Sequence, residues 1–269
     1  TAIKYSFYDV QVLGFGDSKF VGFQNYHKIM NNSNFLKAVG NTFLLAVMGL
    51  ISIPIGFILA SLINNVGKGK WQSFFRVGFY FPNIITGVSV VLIFQVVLKA
   101  NDGLLNNALS AICGHPVTIG WLSDSSYSRF GATILHLWGN LGYCMLMNLA
   151  SLQSIPTEVY EAAEVDGANA FKQWWYITIP QMTPCFSFLF ITAIIGGLAR
   201  FTDLFIIGGN SSAGRPGGTL LTILMYIYQF SFETPQYGIA CAGAMILFIL
   251  TFSITLVNLK MTGFFKKNA

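Results

Sequence analysis

Charged side chains are scarce in this chain, and those that interrupt its apolar text are the groups able to do chemistry. Arg200 and Asp203 stand three residues apart within a long apolar run. In the outward half of a membrane-spanning helix each such charge costs up to about 2.5–3.5 kcal/mol, so the pair reads either as a mutual ion pair or as the wall of an aqueous path. On a continuous helix their spacing puts them on one face. A second polar set, His136, Trp138, Asn140, Tyr143 and Asn148, interrupts another apolar run. Asn140 and Tyr143 combine an amide with an aromatic face, which suits a ligand carrying hydroxyls on an apolar ring. Polar packing between helices is the competing reading, and for His136 it is the preferred one. The third set is acidic and lies between two apolar runs: Glu158, Glu161, Glu164 and Asp166, with Ala162, Ala163 and Gly167 among them.

Other chemistries find no support. Cys113, Cys144, Cys185 and Cys241 are far apart, with neither metal-ligand nor disulfide spacing, and read as small buried hydrophobes. Gly67-Lys68-Gly69-Lys70-Trp71 lacks the leading glycine spacing and the Ser/Thr after Lys that a phosphate-cradling loop needs. No catalytic triad is clustered, and nothing marks His27 or His115. The net charge of +5 comes from basic residues scattered singly, apart from Lys68/Lys70 and Lys266-Lys267. That pattern fits lysines at lipid headgroups, not a nucleic-acid surface.

The elements that hold these residues must be membrane helices. The chain of 269 residues is 54% hydrophobic and 9% charged, with a mean hydropathy of +0.61; a soluble domain is about 25% charged. A helix needs about 20 mainly apolar residues to cross the hydrocarbon core. Five stretches qualify: Val39–Ile63, Val77–Leu98, Phe130–Leu152, Pro184–Ile207 and Tyr237–Leu259. Pro54 removes a hydrogen bond inside the first and is expected to kink it. The stretch from Leu220 to Ser231 is apolar but too short to cross, and reads as an interfacial or re-entrant helix.

The acidic segment has its own local logic. Pro156 fits the first turn of a helix, the early glutamates suit its dipole, and Gly167 can end it in the left-handed conformation. A second helical run, Asn169 to Tyr176, then leads to Pro180. Helix, glycine and helix make a lever lying along the bilayer. Its fixed positions Glu161-Ala162-Ala163, Gly167, Ile177, Ile179 and Pro180 match E-A-A-x3-G-x9-I-x-L-P, with Ile179 in place of Leu. On these residues the chain resembles the inner-membrane permease subunits of binding-protein-dependent ABC importers. Trp138 and Tyr143 keep the separation of an aromatic pair on the sugar-lining helix of maltose-type permeases. Tyr226, Tyr228, Phe232 and Tyr237-Gly238-Ile239-Ala240 also resemble that sugar branch, whereas Ser211–Gly217 departs from its usual loop.

The resemblance implies an all-α membrane protein: one permease domain over 1–269, with an extracytoplasmic segment at 1–38 and a cytoplasmic coupling loop at 153–182. Glu161, Ala162, Ala163 and Gly167 would be the coupling residues that dock on an ATPase, and Asn140, Tyr143, Arg200 and Asp203 the candidates for the substrate path. Lysine and arginine divide seven against seven between the two sides, so the orientation follows the motif more than the charge. Because 1–38 contain no basic start followed by an apolar run, a preceding first helix is expected upstream. The implied partners are a second homologous permease subunit, two ATPase subunits, an extracytoplasmic solute-binding protein and the lipid bilayer. ATP and Mg would belong to the ATPase subunits, with no cofactor in this chain. The implied location is a bacterial cytoplasmic (inner) membrane and the implied cargo a carbohydrate, expected to be an oligosaccharide; glycerol phosphate, another polyol or an acidic sugar remain open.

Overall fold

The computed structural model describes residues 1–10, 18–66 and 69–261. Gly14, Gly16, Asp17, Gly67, Lys68, Lys266 and Lys267 lie outside the described residues. The chain opens with a helical turn α1 (Ala2–Tyr5) and a short antiparallel ladder, β1 (Tyr8–Asp9) with β2 (Lys19–Phe20). Helices follow: α2 (Gln24–Met30), α3 (Ser33–Gly49), α4 (Ser52–Asn65), α5 (Lys70–Ile84), α6 (Gly87–Val97), α7 (Leu104–Cys113) and α8 (Ser128–Leu152). Next come α9 (Thr157–Val165), α10 (Ala170–Gln173), a π-helical stretch Trp174–Thr178, α11 (Ile179–Gln181), α12 (Thr183–Leu198) and α13 (Thr202–Ile207). The last are α14 (Ile223–Tyr228), a second π-helical stretch Gln229–Glu233, and α15 (Tyr237–Met261).

Among the described residues two helices are long and apolar enough to cross a membrane, Ser33–Asn65 and Tyr237–Lys260, and up to four if each broken pair counts as one. Those two contain the first and fifth expected spans. Within the first, Pro54 has no N–H to offer the Leu50 carbonyl; Ile53 N bonds it instead at 3.0 Å, and the helix pauses at Leu50–Ile51. The second expected span is not continuous. It stops at Ile84 and resumes at Gly87, with Ile85 extended at ψ 140°. Pro82 and the β-branched run Ile84-Ile85-Thr86 are poor helix formers, which explains the break. The third, α8, is long enough at 25 residues, but His136, Asn140 and Asn148 make it too polar for lipid on all sides. Such a helix belongs in a bundle interior. The fourth is also corrected: α12 ends at Leu198, α13 begins at Thr202, and Ala170–Gln181 leads into α12 at a bend of 58°.

The described fold divides into two compact units. The first comprises Thr1–Met48, Gly87–Leu135 and Ile194–Val257. Its core gathers Phe35, Leu45, Ala132, Leu204, Ile223 and Tyr226, with the Phe35 and Tyr226 rings 5.1 Å apart. Gly197 lets α12 approach α3 closely, since a Cβ there would come within 2.9 Å of the Ala46 Cβ; small residues serve this purpose in membrane helices. The short α14 is buried here rather than lying on the surface. Its entry is paired by side chains: Asn41 Nδ2 donates to Gly218 O (2.8 Å) and Leu221 O (3.0 Å), and Thr42 Oγ1 accepts from Ile223 N (3.0 Å). Irregular backbone at membrane depth is tolerated only when its polar groups are satisfied in this way.

The second unit comprises Gly49–Thr86, His136–Ala193 and the chain from Asn258. Its core is Phe57, Ala60, Ile63, Met145, Leu149, Leu152, Ile155 and Met182. Close helix contacts again use glycine: a Cβ on Gly56 would lie 2.7 Å from Cys144 Cβ, and one on Gly142 would lie 2.2 Å from Phe79 O. Phe57 stacks on Trp174 at 5.4 Å, fastening the segment after α9 to α4.

Candidate functional site

The acidic segment forms a separate helix, α9, as its sequence predicts. Pro156 is the N-cap, at φ −60° and ψ 136°, one position before the first turn where it was expected. A residue preceding the helix needs no helical ψ, and proline's fixed φ suits either place. Glu158 occupies the first turn, where its charge meets the positive end of the helix dipole. The C-terminus closes in a Schellman arrangement. Gly167 adopts φ +75°; its N–H donates to Glu164 O and the Ala168 N–H to Ala163 O, both at 2.9 Å.

The return path is equally well fixed. The Asn169 side chain caps α10 by accepting from Lys172 N at 2.9 Å. Gln173 Nε2 donates to Ala168 O at 3.1 Å. In the π-helical stretch the Ile179 N–H reaches back five residues to Trp174 O; Pro180, which has no N–H, already deprives the ordinary ladder of a rung. Tyr160 of α9 and Thr178 of the π stretch share a hydroxyl hydrogen bond of 2.9 Å. Helix α9 is thus anchored through Tyr160 and closed by Gly167, while most of its remaining surface is exposed.

That surface is mixed. Glu158, Glu161, Ala162, Glu164 and Asp166 are exposed, and Ala163 is half-buried. Sequence reasoning missed its apolar part: Val165 is 89% exposed at the end of α9, and Phe171 on α10 is 71% exposed. The available signal was an apolar residue directly before the helix-ending glycine. Carboxylates around exposed apolar groups make a surface fit for a protein partner.

In the first unit Arg200 and Asp203 do meet, but not on one helical face. Arg200 sits in the break between α12 and α13, and Asp203 is in the first turn of α13. Arg200 is 5% exposed. Its Nε donates to Asp203 Oδ2 at 3.1 Å, and its Nη2 to the same oxygen and to Ala132 O at 3.0 Å. Thr222 Oγ1 donates to Arg200 O at 3.1 Å. Of the guanidinium nitrogens Nη1 alone lacks a partner among the described residues. The ion pair fastens α8, the helix break and the entry to α14 together.

In the second unit Asn140 and Tyr143 are both half-buried on α8. Asn140 Nδ2 donates to His136 O at 2.9 Å, one turn back on the same helix. The Tyr143 hydroxyl has no hydrogen-bond partner among the described residues, which leaves it free for a ligand. Asn148, fully buried, donates to Cys144 O at 2.8 Å and serves packing. The two candidate pairs belong to different compact units.

Comparisons with known proteins find a family and several relatives. Residues 52–262 match the family described as binding-protein-dependent transport system inner membrane component. The multiple sugar-binding transport system permease protein MsmF of Streptococcus mutans is 32% identical over 253 residues, 92% of this chain and 82% of that protein. The arabinooligosaccharides transport system permease protein AraP of Halalkalibacterium halodurans is 31% identical, over 92% of this chain and 77% of that protein. A bacterial alginate ABC transporter, solved in complex with an alginate pentasaccharide-bound periplasmic protein, has a chain with a TM-score of 0.76 and 25% identity. That likeness covers 90% of this chain and 82% of the other.

Proposed function

This chain belongs to the binding-protein-dependent transport system inner membrane components, and we propose that it is a transmembrane subunit of an ATP-driven carbohydrate importer. The sugar permeases among its relatives support the cargo class, and the alginate transporter supports an extracytoplasmic binding protein as the donor. An oligosaccharide is the size of cargo that these likenesses favour.

The observation that carries the mechanism is α9, a pinned helix whose carboxylates and Val165 face outward. In our reading it lies beneath the bilayer and seats in a separate ATPase subunit. Glu161 supplies a charged contact, and Ala162 and Ala163 keep the helix thin enough to enter a cleft. ATP-driven closure of two such motors would push the segment between Pro156 and Pro180. The Tyr160–Thr178 hydrogen bond and the Trp174–Phe57 stack would pass that push to α4 and the start of α12. A second, homologous permease subunit would complete the pore, and ATP and Mg would be bound by the motors alone. Asn140, Tyr143, Arg200 and Asp203 remain the candidates for the path. Because Arg200 is paired with Asp203, the site favours a neutral cargo over an anionic one.

The test is Glu161→Lys in the assembled complex, with membrane insertion checked separately. Transport and substrate-stimulated ATPase activity should come apart. Undiminished stimulated activity would refute the coupling role.

A further inference from the structure

Beneath the second unit's core lies a cavity of about 430 Å³ bounded by the end of α4, the end of α8, α9 and the α10–π stretch. This volume falls within the range of about 300–1,000 Å³ typical of small-molecule sites. Among its described lining residues none is charged. Asn64, Asn65, Gln153 and Gln173 present side-chain amides, Tyr160 a phenol, and Trp174 an indole held in place by Phe57. Each amide both donates and accepts, which matches hydroxyl groups, themselves donors and acceptors. An anion would find no countercharge on the lining itself, and the one guanidinium that reaches it, Arg76, already donates through Nη2 to Gln153 Oε1 at 3.0 Å and Gln72 Oε1 at 3.1 Å; an apolar ligand would strip the amides of water without replacing it. The walls have capacity to spare. Asn65 and Thr157 make no side-chain hydrogen bond among the described residues, and the one between Gln153 Nε2 and Asn64 Oδ1 is long, at 3.5 Å; Gln153 Oε1, Tyr160 and Gln173 Nε2 each hold one bond already and keep their remaining donor or acceptor sites.

We infer that this cavity is a second binding site for a neutral mono- or disaccharide, separate from the transport path, through which sugar on the inner side restrains the coupling helix. The placement on that side rests on the function proposed above. A sugar spanning the cavity would join Asn64 and Asn65 of α4 to Tyr160 of α9. Bridged in this way, α9 could no longer shift against α4 when a motor closes. The physical effect is feedback: accumulated sugar slows its own import without entering the pore.

The experiment uses the complete transporter in lipid nanodiscs without its binding protein. The probes are glucose, galactose, maltose and lactose, with glucuronate as the anionic and cyclohexanol as the apolar comparison. Intrinsic tryptophan fluorescence reports binding, and ATPase rate reports restraint. At least one neutral sugar should give a saturable signal and lower the ATPase rate. Removing one hydrogen-bonding amide by Asn65→Ala or Gln173→Ala should weaken that binding about tenfold. Asn65 is exposed, so its truncation leaves the fold intact. A neutral-sugar signal indifferent to both substitutions overturns the proposal, as does no signal at all or a preference for glucuronate or cyclohexanol. Binding-protein-driven uptake is measured in parallel. Loss of uptake with cavity binding retained counts against the importer reading alone.

Discussion

Gly167→Ala isolates the backbone's contribution to the shape of the proposed coupling segment. Gly167 sits at φ +75°, and a Cβ built on it would meet nothing within 4 Å. The substitution therefore adds no clash, and its whole cost is conformational. An L-residue in the left-handed region costs about 1–2 kcal/mol. Against this stands the usual gain of about 0.4–1 kcal/mol from stiffening the unfolded chain, which applies only where the new residue adopts the native angles without strain; at this φ it does not. A cost of about 1–2 kcal/mol lowers the population of the closed turn by roughly five- to thirtyfold. The turn's two signature bonds, from Gly167 N to Glu164 O and from Ala168 N to Ala163 O, should open by that factor. Hydrogen exchange at the Ala168 amide reads this directly, without reference to activity. Gly167→Asn should lie between glycine and alanine, because asparagine tolerates the left-handed region better. Gly40→Ala, in the middle of α3 with nothing within 4 Å of its Cβ, serves as the control and should leave Ala168 exchange unchanged. Equal exchange in the native, alanine and asparagine forms would refute the reasoning.

Three further outcomes follow from named contacts. Asp203→Asn leaves Arg200 as a buried cation without its counterion and should destabilise the subunit by about 3–5 kcal/mol, read as an earlier unfolding midpoint in detergent; Arg200→Met with Asp203→Leu should cost less than the single change, and the reverse order would sink the ion-pair account. Val165→Asp adds a fifth carboxylate to the α9 surface and removes its exposed apolar tip, so association with the proposed ATPase subunit should weaken about tenfold or more, measured by co-purification at graded salt. Asn140→Ala removes an amide whose protein bonds are all to its own helix, so a structural role predicts little change in stability; altered uptake or cargo preference would mark it as path-lining, and unchanged transport with assembly intact would remove it from the path.

What the sequence makes legible is local. Glycine's left-handed turn, the Asn169 cap and the apolar runs each depend on residues within a few positions of one another, so α9, the Ser33–Asn65 run and α15 can be read directly. What it hides depends on distant partners. The break at Arg200 is held by Ala132 O, 68 residues away, and by Thr222, 22 residues on. The burial of α14 depends on Asn41 and Thr42, more than 170 residues earlier. Apolar content announces a span at 184–207 because hydropathy counts residues and is blind to where the backbone finds its hydrogen bonds. The exposure of Val165 was hidden for a related reason: a valine in a short helix reads as part of a buried stripe until the helix is seen to touch the body through Tyr160.

The polar groups of the two units are put to opposite uses. In the first unit Asn41, Thr42, Arg200 and Thr222 direct their bonds inward, to backbone that would otherwise be stranded in an apolar setting, and unpaired groups there cost several kcal/mol each. Asp203 joins them as the counterion of a guanidinium that is almost wholly buried. In the second unit α9 directs one hydroxyl inward, that of Tyr160, and leaves four carboxylates, an alanine and two valines, Val159 and Val165, facing out. Stability gains little from that face: exposed carboxylates of like sign repel, and Val165 buries almost nothing. A helix that contributes so little to its own fold, yet is closed by a glycine turn and tied to the body through the Tyr160–Thr178 hydrogen bond, presents the surface that the proposed docking on another protein would use. The perturbations that matter most for function should therefore be those that leave this subunit's unfolding untouched, and the Glu161 and Val165 substitutions should separate from Asp203→Asn on that criterion.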